Sequence, residues 1–317
     1  MQYTVIIPTQ NRPQLVERAL RSVRAQTCAA TEIIIIDDAS EPPLVLPESL
    51  HDEHTQIVRI QKAGGAAAAR NVGLLRATSP VVAFLDDDDE WLPTKMEKQL
   101  AYFRSHPHAV LVSCGHVRIE SGSEYREVFS EEFVQQFCHY DNYFGSFSYL
   151  AIRRDLCQTL LDASLPALQD WDFALRVTHE RQFGVIEEAL ANYYAHELPR
   201  ITTRKMNHVK GLRRCYRRHC RDLSKDEQRW FLSRIIFERS RHVTDSTLRR
   251  KRVLFSVSLA MKCALPWRVK LRSIGRKLGS LVLKNNQLIA IRSFFISAGQ
   301  RATSDLSSRC MPKPLTH

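Results

Sequence analysis

The sequence predicts an α/β fold: a mostly parallel sheet flanked by helices, followed by a basic α-helical C-terminal region. Three observations carry this expectation. Short apolar runs alternate with helical periods over about the first hundred residues, the signature of βαβ units. Two of those runs, residues 33–36 and 81–85, are apolar at every position, as strands covered by helices on both faces must be. From about residue 204 onward the pattern becomes helical and strongly basic.

In chain order, residues 3–7 form a β-branched run that Pro8 is expected to stop. Pro13 suits the first turn of a helix, and Leu15, Ala19, Leu20 and Val23 follow at helical spacing. Residues 32–36, one Glu and four Ile, read as a central parallel strand, and 56–60 as a third strand. Residues 66–75 read as a helix rich in small residues, 81–85 as a fourth strand, 93–103 as a helix and 109–114 as a fifth strand. Residues 116–165 are mixed and dense in aromatics, among them Phe133, Phe137, Tyr140, Tyr143, Phe144, Phe147 and Tyr149. Ser224 and Glu227 have capping-box spacing ahead of Trp230, Phe231, Ile235 and Ile236.

The 317 residues suffice for about two domains with a core that needs no disulfide or metal staple. A composition of 44% hydrophobic and 25% charged residues excludes a disordered chain, a collagen and a small secreted scaffold. The net charge of +12 conceals an asymmetry. Residues 1–200 hold 18 Lys and Arg against 28 Asp and Glu, a balance of −10, whereas residues 201–317 hold 28 against 6, a balance of +22. The basic part therefore calls for an anionic partner. The eight cysteines form no C-x-x-C pair and no zinc spacing, which suits reduced thiols in a cytosol. The N-terminus lacks the layout of a signal peptide, and no run of about 20 apolar residues is present to span a membrane. The expected location is cytoplasmic, peripheral on the cytoplasmic membrane face.

In an open α/β sheet, ligands bind beyond the carboxyl ends of the strands. Three such ends are polar here: Pro8-Thr9-Gln10-Asn11-Arg12, Asp37-Asp38-Ala39-Ser40, and Asp86-Asp87-Asp88-Asp89-Glu90. A helix entrance adds Gly64-Gly65 and then Arg70-Asn71. Four adjacent Asp against a buried strand repel one another unless a cation neutralises them. Their oxygen-only ligands suit Mn2+ or Mg2+, which in turn suits a phosphate-bearing substrate. Gly-Gly before a helix allows close approach of a phosphate, and Arg70 can pair with a diphosphate.

These motifs resemble the family 2 glycosyltransferases. The resemblance runs through residues 5–13, 33–40, 69–74 (Ala-Arg-Asn-Val-Gly-Leu) and 84–93 (Phe-Leu-Asp-Asp-Asp-Asp-Glu-Trp-Leu-Pro), in family order and spacing. A weaker match continues to about residue 203 through Gly145-Ser146, Arg153-Arg154, Gln169-Asp170-Trp171-Asp172, Arg176, Tyr194, His196 and Thr202. The resemblance implies a GT-A, Rossmann-like domain over residues 1–203 and inverting sugar transfer from a nucleotide-sugar donor. Pro8, Thr9 and Asn11 would belong to the donor pocket, with Pro8 and Thr9 lining the base. Asp38 would bond a uracil-type base, so that the donor is a UDP-sugar. Arg70 would face the diphosphate. Asp86 and Asp88 would be the ends of the D-x-D element, Asp86 near the ribose and Asp88 on the metal, with Asp87 between them on the donor side. His196 would reach the metal or the diphosphate. Asp170 would be the general base.

Two departures matter. Gln169 stands where the family has Glu, and Asp87 stands where it has a small residue. Asp172 competes with Asp170 for the role of base. On a helix the two point about 200° apart, so only one faces the site. A hydrolase uses two carboxylates in a similar way; here the nucleotide-pocket motifs argue for transfer.

The region 204–317 matches no motif of the family. On a helix, Lys210, Arg213, Arg214, Arg217, Arg218 and Arg221 share one face. Arg249-Arg250-Lys251-Arg252 precedes Val253-Leu254-Phe255, a combination that reads as helices lying on an anionic membrane surface. The expected acceptor is then a glycan or a lipid-linked molecule of cell-surface polysaccharide or lipopolysaccharide synthesis. The alternative is a degenerate, non-catalytic transferase domain with a basic nucleic-acid or scaffold-binding arm. No nucleic-acid-binding motif supports it, and the acidic first part argues against it.

Overall fold

A computed structural model describes residues 1–195, 206–263, 265 and 270. The chain forms two compact units, residues 1–221 and 222–317. The first unit runs β1 (Tyr3–Thr9), α1 (Pro13–Arg24), β2 (Glu32–Asp38), β3 (Thr55–Ile60), α2 (Ala66–Arg76), β4 (Val81–Phe84), β5 (Asp89–Trp91), α3 (Lys95–Ser105), β6 (Leu111–Glu120), β7 (Ser123–Glu127), α4 (Glu131–Phe137), a 3-10 turn (Phe147–Tyr149), β8 (Ala151–Arg153), α5 (Gln169–Thr178), β9 (Phe183–Tyr194) and α6 (Asn207–His219).

These strands make one sheet in the order β3-β2-β1-β4-β8-β6-β9-β5, with β7 beside β6. The half β3-β2-β1-β4 is parallel throughout. Beyond it β8 runs antiparallel to both β4 and β6, and β6 pairs parallel with β9. The parallel half is where the all-apolar runs lie: Ile33, Ile34, Ile35 and Ile36 are buried, as are Val81, Val82, Ala83 and Phe84. Helix α1 covers this half with Val16, Ala19, Leu20 and Val23. Helix α2 crosses so closely that a Cβ on Gly73 would come within 2.6 Å of the Ile6 side chain.

Three details differ from the expectation. Pro8 does not stop β1, which continues to Thr9. Leu85 N–H donates to the Ile6 carbonyl, so the even-numbered positions of β1 face β4; β4 ends at Phe84, and the N–H that Pro8 lacks falls beyond its ladder. Within the acid run, Asp89–Trp91 is a strand, β5, paired antiparallel with β9 through Asp89↔Tyr193 and Trp91↔Ala191. The register of β6 on β9 shifts at Gly115, and past that shift β9 reaches β5.

The third difference is the boundary. Helix α6, expected in the second region from its basic composition, belongs to the first unit. It buries Val209, Leu212, Cys215 and His219, while Arg218 and His219 bond to Asp172 of α5 and Arg214 to the main chain of Ser164. The composition shift thus falls short of the unit boundary because part of the basic stripe is spent on acids of its own unit.

In the second unit, α7 (Lys225–Ser240) and α8 (Ser246–Met261) pack as a hairpin. Ser256 Oγ donates to the Ser233 carbonyl at 2.7 Å and Cys263 Sγ to the Asp226 carbonyl at 3.4 Å, which fixes the pair as antiparallel. The expected capping box forms, with Ser224 and Glu227 bonding reciprocally. Trp230, Phe231, Ile235, Val253 and Ala260 are buried. Leu248, Leu254, Phe255 and Met261 of α8 are exposed. No helix among the described residues is long and apolar enough to cross a membrane.

Candidate active site

The ends of β1, β2 and β4 converge. Asn11 takes a left-handed φ of +56°; its N–H donates to Ser40 Oγ at 2.9 Å and its Oδ1 accepts from Glu41 N–H at 2.8 Å. Asn11 thereby ties the loop after β1 to the loop after β2. Asp37 accepts from the main-chain N–H groups of Ser40 and Leu44 and pairs with Arg59 at 3.2 Å. Burial pushes its carboxyl up, but the Ser40 hydroxyl, these N–H groups and Arg59 outweigh that and hold it below the usual range. The two oxygens of buried Asp38 accept from Gly64 and Gly65 N–H at 2.8 and 2.7 Å. Gly65 has φ +83°, a conformation that L side chains rarely adopt, and this turns its N–H onto Asp38. The Gly-Gly pair is therefore bonded to Asp38.

The acid run splits into two groups. Asp87 turns to β1: Thr9 Oγ1 donates to it at 2.8 Å and Arg12 at 3.1 Å. Burial pushes the Asp87 carboxyl up to about 6; Thr9 and Arg12 pull it down, while Asp88 and Asp86 push it further up. Asp86, Asp88 and Asp89 bring carboxylate oxygens within 4.8 Å of one another. Three oxygen donors with no sulfur or nitrogen among them fit a hard divalent ion, Mn2+ or Mg2+. Asp88, expected on the metal, lies in this cluster with Asp86, which was expected near the ribose, and with Asp89, for which no role was expected. His196 and Thr202 lie outside the described residues. Arg12 also reaches Asp88 at 3.4 Å, and Arg18 bonds the Asp88 carbonyl at 2.7 Å and Glu90 at 2.9 Å.

Arg70, from the first turns of α2, is buried and ion-paired with Asp86. Its guanidinium carbon lies 4.1 Å from the centre of the Phe147 ring. Its Nε is buried with no hydrogen-bond acceptor among the described residues. Asn71, its neighbour, is used structurally, bonding the Leu161 main chain in both directions.

Helix α5 presents Asp170 and Asp172 on different faces. Asp172 is 1% exposed and is fully engaged: Arg176 Nε at 2.9 Å, Arg218 at 2.8 Å to each oxygen, and His219 Nε2 at 3.2 Å. Burial alone would raise its carboxyl; His219, Arg176 and Arg218 together hold it below the usual range. Arg218 also bonds Asp162 at 2.5 Å. Half-buried Asp170 is different. Burial raises its carboxyl to about 6, with the Trp171 N–H opposing, Asp86 adding and Arg70 subtracting. Those interactions put Asp170 within electrostatic reach of the Asp86–Arg70 pair. Gln169 donates to the Leu165 carbonyl at 2.8 Å and contributes no charge.

Sequence reasoning missed Asp89, Arg12, Arg18, Phe147 and Ser148 as parts of this site. Arg12 was visible in the run after β1 as the only cation next to the expected base pocket. Nothing in the linear spacing connects residues 147–148 to the acid run.

This architecture, a parallel half-sheet with its acid turn beyond β4 and the sheet reversing at β8, defines a GT-A fold. The structure superposes on Staphylococcus aureus TarS (residues 1–349, in complex with UDP-GlcNAc) with a TM-score of 0.59, covering 82% of each chain at 16% identity. Residues 4–161 match the family Glycosyl transferase family 2, and the chain belongs to that family. An uncharacterized glycosyltransferase of Haemophilus influenzae is 29% identical over 191 residues, which are 57% of this chain and 63% of that protein. The putative colanic acid biosynthesis glycosyl transferase WcaA of Escherichia coli is 27% identical over 258 residues, 77% of this chain and 91% of that one. The chain spans 63, 40 and 57% of the length of three curated relatives that it matches.

Proposed function

We propose that the protein transfers a sugar, of hexosyl or N-acetylhexosaminyl type, from a UDP-sugar to a hydroxyl of a glycan or lipid-linked acceptor, with inversion. The observation that carries this reading is the contrast on α5: one carboxylate is consumed by ion pairs, and the other is raised to about 6 beside Asp86 and Arg70. A base poised near neutral pH is what deprotonation of an attacking hydroxyl requires. Asp170 takes the acceptor proton as the oxygen bonds the anomeric carbon from the side opposite the departing diphosphate. A single displacement of that kind inverts the centre. Arg70, its guanidinium held against Phe147 and paired with Asp86, faces the diphosphate. Pro8, Thr9 and Asp38 border the base, and the Asn11 clamp keeps their two loops together. Asp86, Asp88 and Asp89 would hold Mn2+ or Mg2+, which when bound neutralises charge growing on the leaving diphosphate.

The biosynthetic setting proposed is cell-surface polysaccharide or lipopolysaccharide, in keeping with the relative WcaA, which is named for colanic acid biosynthesis. The test is a donor screen that reads nucleoside diphosphate release with a panel of nucleotide sugars and membrane extract as acceptor. Turnover of a UDP-sugar that requires divalent metal and is lost in Asp170→Asn is expected. No turnover with any donor overturns the reading, and salt-sensitive RNA binding in its place favours the non-catalytic alternative.

The partner proposed for the second unit is an anionic membrane surface on the cytoplasmic side. From residue 246 to 304 the sequence holds thirteen Lys and Arg and no Asp or Glu. On α8 the exposed Leu248, Leu254, Phe255 and Met261 share the surface with exposed Lys251 and with Lys262 at the helix end. Apolar side chains rimmed by cations suit the headgroup layer of anionic lipid. Co-sedimentation with phosphatidylglycerol vesicles at low salt, weakened in Phe255→Asp, is expected; a protein that stays wholly in the supernatant overturns it.

A further inference from the structure

The carboxylates of the acid turn are held from outside their own motif. Ser148, in the 3-10 turn before β8, is fully buried. Its hydroxyl oxygen accepts from Asp86 N–H at 3.0 Å and donates to Asp89 Oδ2 at 2.6 Å. Its carbonyl accepts from Trp91 Nε1 at 2.8 Å. One residue therefore grips the acid turn at its first position, at its fourth and at the tryptophan that follows. The preceding residue, Phe147, carries the Arg70 guanidinium that pairs with Asp86.

The 3-10 turn is itself bonded and closely packed. Ser146 Oγ accepts from Ser148 N–H at 3.1 Å. Gly145 has φ +82° and packs against Tyr149, where a Cβ would come within 2.2 Å of the ring. The Phe147 ring meets Phe84 of β4 edge-on at 5.4 Å.

We infer that Ser148 is a positioning residue for the metal-binding carboxylates: its hydroxyl sets Asp86 and Asp89 at the spacing that one divalent ion needs. The physical case is short. Adjacent carboxylates repel and splay apart unless something fixes them before a cation arrives. A buried hydroxyl that both accepts from the turn's backbone and donates to one of its carboxylates does this at both ends together. Partners of this kind, one shell out from a metal, are worth 10–100-fold in metal affinity. The inference rests on the reading of Asp86, Asp88 and Asp89 as the metal site.

The test is Mn2+ titration of the full-length protein in the presence of UDP, with free Mn2+ read by electron paramagnetic resonance and folding read by thermal melting. Ser148→Ala is expected to raise the Kd for Mn2+ about tenfold with the melting transition retained, and to raise the Mn2+ concentration needed for half-maximal activity more than it lowers kcat at saturating Mn2+. Ser148→Cys, a somewhat larger side chain with a weaker donor, is expected to fall between; it also serves if the alanine variant does not fold. Wild-type affinity in a folded variant overturns this inference alone. Loss of folding in both variants assigns Ser148 to the core and overturns it as well. If the wild-type protein takes up no Mn2+, the metal reading fails and this inference with it.

Discussion

Helix α5 has two faces that treat the same residue type in opposite ways. The face toward α6 holds Asp172, buried and bonded to Arg176, Arg218 and His219; its carboxyl is held down, and it is a structural anion. The face toward the strand ends holds Asp170, raised to about 6 beside Asp86 and Arg70, and it is the candidate base. Two residues of separation decide this, because half a helical turn carries one side chain into an arginine pocket and the other into a site. A carboxylate satisfied by its own protein contributes stability. One left under-compensated is available for chemistry.

The largest expected effect breaks that comparison on the functional side. Asp170→Asn should lower kcat by about 10²–10⁴-fold, the usual contribution of a general base, with little loss of melting temperature. A loss below tenfold in steady-state transfer assays removes Asp170 from the mechanism. The converse variant acts on stability. Asp172→Asn leaves the Arg218, Arg176 and His219 cluster short of its buried anion and should cost about 3–5 kcal/mol in urea unfolding, as breaking one side of a buried ion pair does. Its kcat per folded molecule should stay within a few-fold of wild type.

The same contrast predicts two separate pH responses. Asp170 must be ionised to act, so kcat/KM should fall tenfold per unit as pH drops below about 6. Asp172 has a folded-state pKa below its unfolded value of about 3.9. Its stabilising contribution is therefore complete above that unfolded value and is lost only as pH falls through the lower, folded one. Between these limits, near pH 5, the protein should be folded but slow. Loss of far-ultraviolet circular dichroism in step with activity would refute the separation.

The smallest effects compare positions on α6. Arg218→Ala removes partners of Asp172 and Asp162 and should cost about 1–3 kcal/mol, whereas Lys210→Ala on the exposed surface should stay within about 0.5 kcal/mol. Equal melting temperatures for the two would mean that Arg218 does not dock the helix.

Much of the first unit was legible because its signals are local. All-apolar runs became buried parallel strands, and the polar clusters at their ends became the convergent loops, because a parallel strand presents its carboxyl end on one side of the sheet. The repulsion of four adjacent Asp pointed to a cation at the acid run, the family resemblance put Asp88 on it, and three of the four acids do cluster. What was not legible is which acid turns where. Asp87 faces Thr9 and Asp89 faces Ser148, and both partners lie far away in sequence. The basic stripe misled in a similar way. Its spacing placed Lys210 to Arg218 correctly on one helix, which ends at His219 ahead of Arg221, but spacing says nothing of the acids packed beside it, and Arg218 is spent on Asp172 and Asp162. The boundary set by composition was drawn ahead of α6 for the same reason.

By itself the sequence determined the α/β class, the parallel pairing of β1 to β4 and the family; the sheet it led us to expect as mostly parallel also carries antiparallel β5, β7 and β8. These follow from periodicity and from contiguous motifs, whose physics acts over a few residues. Only the tertiary structure decided that Asp170 and not Asp172 faces Arg70 and Asp86, that Asp89 joins the carboxylate cluster, and that Ser148 holds the turn. Those outcomes depend on which charges and hydroxyls meet across the fold. Burial and ion pairing then set each carboxyl's affinity for a proton, and no residue carries that environment in its own name.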